Sequence, residues 1–477
     1  MLATSITAST GWAIVIALGF IWIALGIYWG RKAKTSDGFM LAGRNVGLSL
    51  GTATAMATWV TSNTTMVAPL LAYEKGVWGM LAYASASFGL MLFAPLAFRI
   101  RGLLPHGVTA GDFFRLRYGR TGWAVFLAIT LVYSVTWLVT MAIAGGKLLE
   151  VLGNIPYAQG MTLILVVCVI YTLFGGLYAV IGTDFIQSLI ILVGIVFIGF
   201  TVVTRMDVAA VHAHLTRHQP ALLDLMMPAA LLAIFNNMLF GFGEVMHNNV
   251  WWSRAFAMRR TIAPKAFFLS GILWFPIPIA AGFVALAAGP LGVNITDASQ
   301  VGPQVAEHVL SMAGLGKIAG ALILVVLFCS MASSIDSLLA ATSDLLVRDV
   351  YEGVFKQTLD PAKFRPVAAT SIIIVSLIAW GLALSGWNVD QVLFSSGALV
   401  ASLIWPVIAG LFWKRLNRGL VIAGIICGCV AGMLCYFRLQ TYTGALVGAA
   451  VSMVFTIAAR FIAAVEIADT RQPSPQS

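Results

Sequence analysis

The sequence predicts an all-α integral membrane protein of thirteen transmembrane helices, and three observations carry that reading. The 477 residues are 60% hydrophobic and only 10% charged, where a soluble domain carries roughly 25% charge. Apolar runs approaching the about 20 residues that a helix needs to cross a bilayer follow one another almost end to end. Those runs are continuously apolar, as in 189–203 and 318–328, instead of alternating in polarity as barrel strands do. The composition excludes a water-soluble enzyme, a nucleic-acid binder and a disordered chain.

Numbered 0 to 12, the spans cover residues 11–29, 47–73, 77–98, 122–149, 158–174, 178–203, 225–250, 263–288, 313–346, 366–385, 389–413, 419–437 and 442–464. Span 0 precedes Arg31, Lys32 and Lys34 and follows a stretch without Lys or Arg. A signal peptide has the opposite charge order, so span 0 is expected to be retained. With the amino terminus outside, the loops alternate, and cytoplasmic loops should hold the excess of Lys and Arg. Of the 28 basic residues, 22 fall on the inner side, Arg254, Arg259 and Arg260 among them. The outer six are Lys75, Lys147, Arg205, Arg217, Lys317 and Arg438. Losing or adding a helix midway scrambles this split. The carboxyl terminus is therefore placed in the cytosol, with 465–477 as a polar tail, in a plasma or inner cell membrane.

The net charge of +10 is then a consequence of topology and calls for no nucleic acid. Membrane lipid is the expected surrounding, and a monomer suffices. Cys168, Cys329, Cys427, Cys429 and Cys435 all lie inside apolar runs without metal-ligand spacing, so they read as buried packing residues.

Spans 1 and 6 resist being ordinary lipid-facing helices. Span 1 carries Thr52, Thr54, Thr58, Thr61, Ser62, Asn63, Thr64 and Thr65 around its middle, with Pro69 beyond. Freed backbone at membrane depth is tolerated only beside a cavity or other protein, so span 1 should be unwound and interior. Span 6 holds Asn236, Asn237, Gly241 and Gly243, then Glu244, His247, Asn248 and Asn249, and it too reads as interrupted. The two lie five helices apart. Because five is odd, a repeat of spans 1–5 by spans 6–10 must be inverted, and interrupted helices in matching positions point to a transporter binding site. A single transmembrane domain over 1–464 follows, with 47–203 and 225–413 as the two repeats and 11–29 and 419–464 as extra helices.

Span 8 places Ser330, Ser333, Ser334 and Ser337 at i, i+3, i+4 and i+7, one face of a helix, with Asp336 one turn from Ser333. Such a face offers hard oxygen ligands, and a carboxylate in the membrane usually marks an ion path or proton relay. Single serines more often bond back to their own helix; four on one face beside an aspartate favour a ligand face. Asp184 lies about 9 Å along span 5, at 1.5 Å per residue, either as an interfacial carboxylate or facing inward toward span 8.

These features resemble the sodium:solute symporter family. The resemblance rests on residues 39–44 (FMLAGR), on 175–180 (GGLYAV) with Thr183, Asp184 and Gln187, and on 333–337 (SSIDS) running into Asp344 and 348–351 (RDVY). It implies a LeuT-like core of five plus five inverted helices and Na+ as coupling ion. By the same resemblance, Ala57, Val60 and Ser330 supply carbonyls to a first sodium site, with side-chain oxygens from Ser333 and Ser334. A second sodium in some members implies Asp184, Ser333, Asp336 and Ser337 here. The solute is implied between spans 1, 3, 6 and 10, where the candidates are Trp59, Thr61, Ser62, Asn63, Tyr133, Trp137, Asn236, Asn237, Ser395 and Ser396. Aromatic faces with amides and hydroxyls suit a small, polar, mostly uncharged solute. Within the family, residues 242–252 (FGEVMHNNVWW) and the polar break of span 1 are most similar to the urea-transporter branch, from which Glu244, His247 and Asn248 depart.

The expected function is sodium-coupled symport of a small polar solute into the cell, with urea as the lead. The alternatives are proton coupling through Asp184, Asp336 or the Glu244 and His247 pair, symport of proline or monocarboxylates, a solute sensor and a channel. Glu244 and His247 read equally as a gate or proton site and as a satisfied interhelical pair. His212, His214 and His218 read as outer-loop residues. No nucleophile triad, phosphate-cradling loop or HExxH helix occurs, so an enzyme is not expected.

Overall fold

A bilayer core offers no water to backbone N–H and C=O groups, so each must find its partner within the chain, and the apolar runs fold as helices. The computed structural model describes residues 6–466 except 225, 227, 296, 386, 388 and 440–442. The helices in order are α1 (Ala8–Gly30), α2 (Ser36–Leu41), α3 (Leu48–Trp59), α4 (Ser62–Lys75), α5 (Val77–Ser85), α6 (Phe88–Leu103), α7 (Ala110–Gly153), α8 (Tyr157–Arg205), α9 (Val208–His218) and α10 (Pro228–His247). They continue as α11 (Asn249–Ala257), α12 (Ala263–Trp274), α13 (Pro276–Ala285), α14 (Val301–Leu310), α15 (Lys317–Leu345), α16 (Pro361–Ala383), α17 (Val389–Val400), α18 (Ile404–Phe412), α19 (Arg418–Leu439) and α20 (Gly444–Phe461). Among the described residues, ten helical stretches are long and apolar enough to cross a membrane.

The polar tail expected from residue 465 begins instead as a strand: Val465–Glu466 pairs antiparallel with Arg415–Leu416. The cysteines also differ from expectation. Cys168 and Cys329 are buried, but Cys427 is exposed and Cys429 and Cys435 are half-buried, because α19 turns one side outward. The three histidines lie on the short helix α9, not in a loop, and the tilted rings of His214 and His218 meet at 4.6 Å.

Spans 4 and 5 are one helix, α8, of 49 residues. At 1.5 Å per residue it is far longer than the roughly 30 Å bilayer core, and a bend at Gly176 (φ 51°, ψ −139°) turns it back across. This conformation is open only to glycine, and a Cβ there would sit 2.5 Å from the Phe39 carbonyl oxygen. The bend aligns α8 so that its second half packs against α3 and α15.

The two broken helices oppose each other across the core. Span 1 is divided into α3 and α4 at Val60 and Thr61, and span 6 into α10 and α11 at Asn248. The break in span 6 comes later than its glycines suggest. Gly241 and Gly243 stay helical and allow close approach, with Gly243 packed against the backbone of Ala401.

Gly176→Ala should lower the stability of the purified protein by about 1–3 kcal/mol through strain at the bend. A thermal-unfolding scan in detergent that matches the unaltered protein would contradict this account of α8.

Candidate functional site

α3 ends where Val60 departs from helical geometry (φ −80°, ψ 79°). Thr61 then opens α4 through a reciprocal cap: its Oγ1 accepts from the Thr64 amide at 3.2 Å, and Thr64 Oγ1 accepts from the Thr61 amide at 3.2 Å. Such a break leaves the last carbonyls of α3 without their helical partners. Side chains from α4, α12 and α15 supply the donors. Ser333 Oγ donates to the Ala57 carbonyl at 3.0 Å, and Ser334 Oγ to the Thr58 carbonyl at 3.0 Å. Trp274 Nε1 and Thr64 Oγ1 donate to the Trp59 carbonyl at 2.6 and 3.0 Å.

Both serine hydroxyls also lie 3.0–3.1 Å from the Ser330 carbonyl. Ala57, Ser330, Ser333 and Ser334 are thus brought together from two helices 276 residues apart in sequence, while Ser330 Oγ itself turns back to Leu327. Val60 sits in the same turn, with its amide bonded to the Met56 and Ala57 carbonyls. Hydroxyl and carbonyl oxygens are hard donors of the kind a hard cation takes.

Below this contact lies a fully buried ion pair that sequence reasoning missed. Arg254, on α11, reaches Asp184 on α8 at 3.2 Å, and both side chains are 0% exposed. The guanidinium also donates to Thr54 Oγ1 at 3.1 Å, Thr58 Oγ1 at 2.6 Å, Ser337 Oγ at 2.6 Å and the Val250 carbonyl at 3.1 Å. Thr54 Oγ1 donates to the same Asp184 oxygen at 2.5 Å. One guanidinium therefore ties α3, α8, α11 and α15 together. Two expectations are corrected. Arg254 is not an inner-loop cation, and Asp184 and Ser337 of the expected second sodium set already share a cation of the chain itself. The third member, Asp336, accepts from Tyr171 at 2.8 Å.

The second break is built like the first, with Asn248 Oδ1 accepting from the Val250 amide at 3.0 Å. Around it, Trp59 packs against Trp251 at 5.1 Å and stacks on Trp274 at 5.3 Å. Tyr133 meets Trp137 at 5.5 Å and the edge of His247 at 4.5 Å. Four buried polar atoms here have no protein partner: Asn63 Oδ1, Tyr133 Oη, Trp137 Nε1 and His247 Nε2. Buried polar atoms are normally hydrogen-bonded, so four left free beside two helix breaks mark a place where a polar solute can supply the bonds.

Other expected solute contacts serve the fold. Asn236 Oδ1 accepts from the Ala445 and Leu446 amides at 3.1 and 3.2 Å and so caps α20. Ser395 is half-buried and donates back to the Val392 carbonyl at 2.9 Å, so its hydroxyl is spent within α17. Thr61 is engaged as a helix cap. Asn237 and Ser396 are buried on α10 and α17, and the side chain of Ser62 lies outside the described residues.

The chain thus combines a nearly all-helical membrane fold with two broken helices, an oxygen-lined contact between α3 and α15 and a cluster of buried polar atoms without protein partners. The sequence model of the sodium:solute symporter family matches residues 39–428, and the chain belongs to that family. It is similar to the urea-proton symporter DUR3 of Oryza sativa subsp. japonica, at 25% identity over 90% of this chain and 65% of that one. It is similar to the urea active transporter of Saccharomyces cerevisiae at 24% identity, over 88% of this chain and 62% of that one. The chain thus spans somewhat less than two thirds of the length of these two relatives. A sodium/proline symporter of Staphylococcus aureus is 25% identical over 88% of this chain and 84% of its own. Among solved structures, a Na+-coupled sialic acid symporter in a substrate-bound outward-open state superposes with a TM-score of 0.79 at 19% identity, covering 96% of this chain and 99% of that one. A nucleobase-cation-symport-1 family transporter follows at 0.60 and 14%, covering 90% and 94%. The fold is the LeuT-like one, and the family and these relatives are transporters, not enzymes.

Arg254→Met should destabilise the protein by about 3–5 kcal/mol, because it strands the buried Asp184 carboxylate. Combining it with Asp184→Leu should recover a large part of that loss. Additive losses in a double-mutant melting cycle would contradict the pairing.

Proposed function

We propose that this symporter couples the inward movement of sodium to uptake of a small polar, nitrogen-bearing solute, with urea as the neutral lead. The observation that carries the reading is the 3.0 Å approach of the Ser333 and Ser334 hydroxyls to the Ala57 and Thr58 carbonyls. A sodium ion there would draw lone pairs from α3 and α15 toward itself, stabilise the outward-facing arrangement and hold the span 1 break in a shape that receives solute. Solute contacts at both breaks would then favour closure of the outer side. In the cytosol, where sodium is scarce, the ion would leave and the α3–α15 contact would loosen.

The free energy suffices. A tenfold sodium gradient supplies about 1.4 kcal/mol and a 100 mV potential about 2.3 more, so one ion supports roughly 500-fold accumulation. The urea reading is supported by the two urea-transporter relatives. A second reading, proton coupling on the same fold, is favoured by the rice relative, whose name records a urea-proton symporter.

Uptake into proteoliposomes decides between them, using urea, proline, a short monocarboxylate and a sugar with and without a sodium gradient. Uptake of a nitrogen-bearing solute should rise with the sodium gradient, and Ser333→Ala with Ser334→Ala should raise the half-saturating sodium concentration by about tenfold, the equivalent of 1.4 kcal/mol. Uptake that persists without sodium and collapses with a protonophore would select the proton reading. An unchanged sodium dependence in the double variant would remove the assigned site.

A further inference from the structure

We propose that the solute site selects a small cationic nitrogen compound of the guanidinium class, and that Glu244 is its specificity-determining residue. This narrows the solute of the symport reading and rests on it.

Glu244 is fully buried in the last turn of α10, one turn before the Asn248 break. Its carboxylate accepts only neutral donors: Asn248 Nδ2 at 3.1 Å on one oxygen and Trp251 Nε1 at 2.7 Å on the other. Among the described residues, the ion pairs are Arg44 with Asp37, Lys147 with Asp297, Arg254 with Asp184 and Arg348 with Glu352. Glu244 belongs to none of them. Each carboxylate oxygen accepts about two hydrogen bonds, so both retain capacity for a donor-rich ligand. A buried carboxylate that keeps its charge needs a partner of opposite charge, and among the described residues Glu244, like Asp336, Asp344 and Asp349, has none in an ion pair.

The neighbours extend the same preference. His247 Nδ1 donates to the Gly243 carbonyl at 2.7 Å, which fixes the tautomer in which Nε2 is an acceptor, and that nitrogen is buried without a partner. The Asn63 carbonyl oxygen is a further buried acceptor without a partner. The α10 carboxyl end adds the negative pole of a 20-residue helix. The Trp251 ring that binds Glu244 packs at 5.1 Å on Trp59, which in turn stacks on Trp274. A desolvated site walled by indole faces attracts cations through the ring quadrupole, and planar guanidinium also stacks on such rings. Beside the donor Trp137 Nε1 and the Tyr133 hydroxyl, three acceptor groups and an aromatic wall, with no Lys or Arg among these residues, complement a planar cation rich in N–H groups through Glu244.

Guanidinium and urea provide the test because they share shape and size and differ in charge. Each is titrated against the full-length protein in nanodiscs, reading the quench of tryptophan fluorescence, while 22Na+ binding is followed in parallel. Guanidinium should bind at least about tenfold tighter than urea. Glu244→Gln should erase that ratio by weakening guanidinium binding more than urea binding, with 22Na+ binding kept. Urea binding as tightly as guanidinium to the unaltered protein would overturn the proposal, and this arm does not depend on any variant folding. An unchanged ratio in a Glu244→Gln protein that still binds 22Na+ would overturn it as well. Loss of 22Na+ binding in the unaltered protein would instead overturn the sodium reading, whichever solute bound.

Discussion

Carbonyl oxygens at a helix break inside a membrane have no water to turn to, and this constraint organises the molecule. At the α3–α4 break three successive carbonyls, of Ala57, Thr58 and Trp59, take donors from Ser333, Ser334, Thr64 and Trp274. These donors come from three helices, so the break recruits its surroundings into one assembly. A hydrogen bond to a break carbonyl can be exchanged for a cation at little geometric cost, because the same oxygens serve both.

The buried charges are answered in three different ways. Asp184 receives a guanidinium from its own chain and becomes part of the joint between α3, α8, α11 and α15. Asp336 is held by the Tyr171 hydroxyl. Glu244 receives only neutral donors. Pairing gives Asp184 a cation of the chain itself, whereas the serine face meets only uncharged carbonyls. Glu244 lies at the second break, bonded to Asn248 and to the Trp251 ring that packs on Trp59.

The helical membrane character was legible because lipid demands apolar side chains for about 20 residues at a time, and the serine face because 3.6-residue periodicity fixes who shares a side; the count of thirteen spans stands beside ten long apolar helical stretches among the described residues. Polar clusters announced both broken helices. The position of the second break was not legible: Gly241 and Gly243 suggest it, but those glycines serve close packing, and Asn248 ends the helix because its side chain can cap the next one. Arg254 was hidden for a different reason. A charge near the end of an apolar run reads as an inner-loop residue, and only the fold brings Asp184, 70 residues earlier in the chain, to meet it. Val250, Trp251, Trp252, Ala255 and Phe256, all buried, are the local signal that Arg254 faces inward. Asn236 carries no such signal, since nothing near it announces that its amide caps a helix 209 residues later.

The central claim is that the α3–α4 break and the hydroxyl face of α15 act together as one sodium-responsive unit. Hydrogen–deuterium exchange of the protein in nanodiscs, in sodium chloride and then in potassium chloride at equal ionic strength, tests it most directly. The account predicts slower exchange in sodium for peptides covering residues 56–66 and 328–338 together, with α19 and α20 unchanged. Equal exchange in the two salts, or protection at one of these segments without the other, would contradict it.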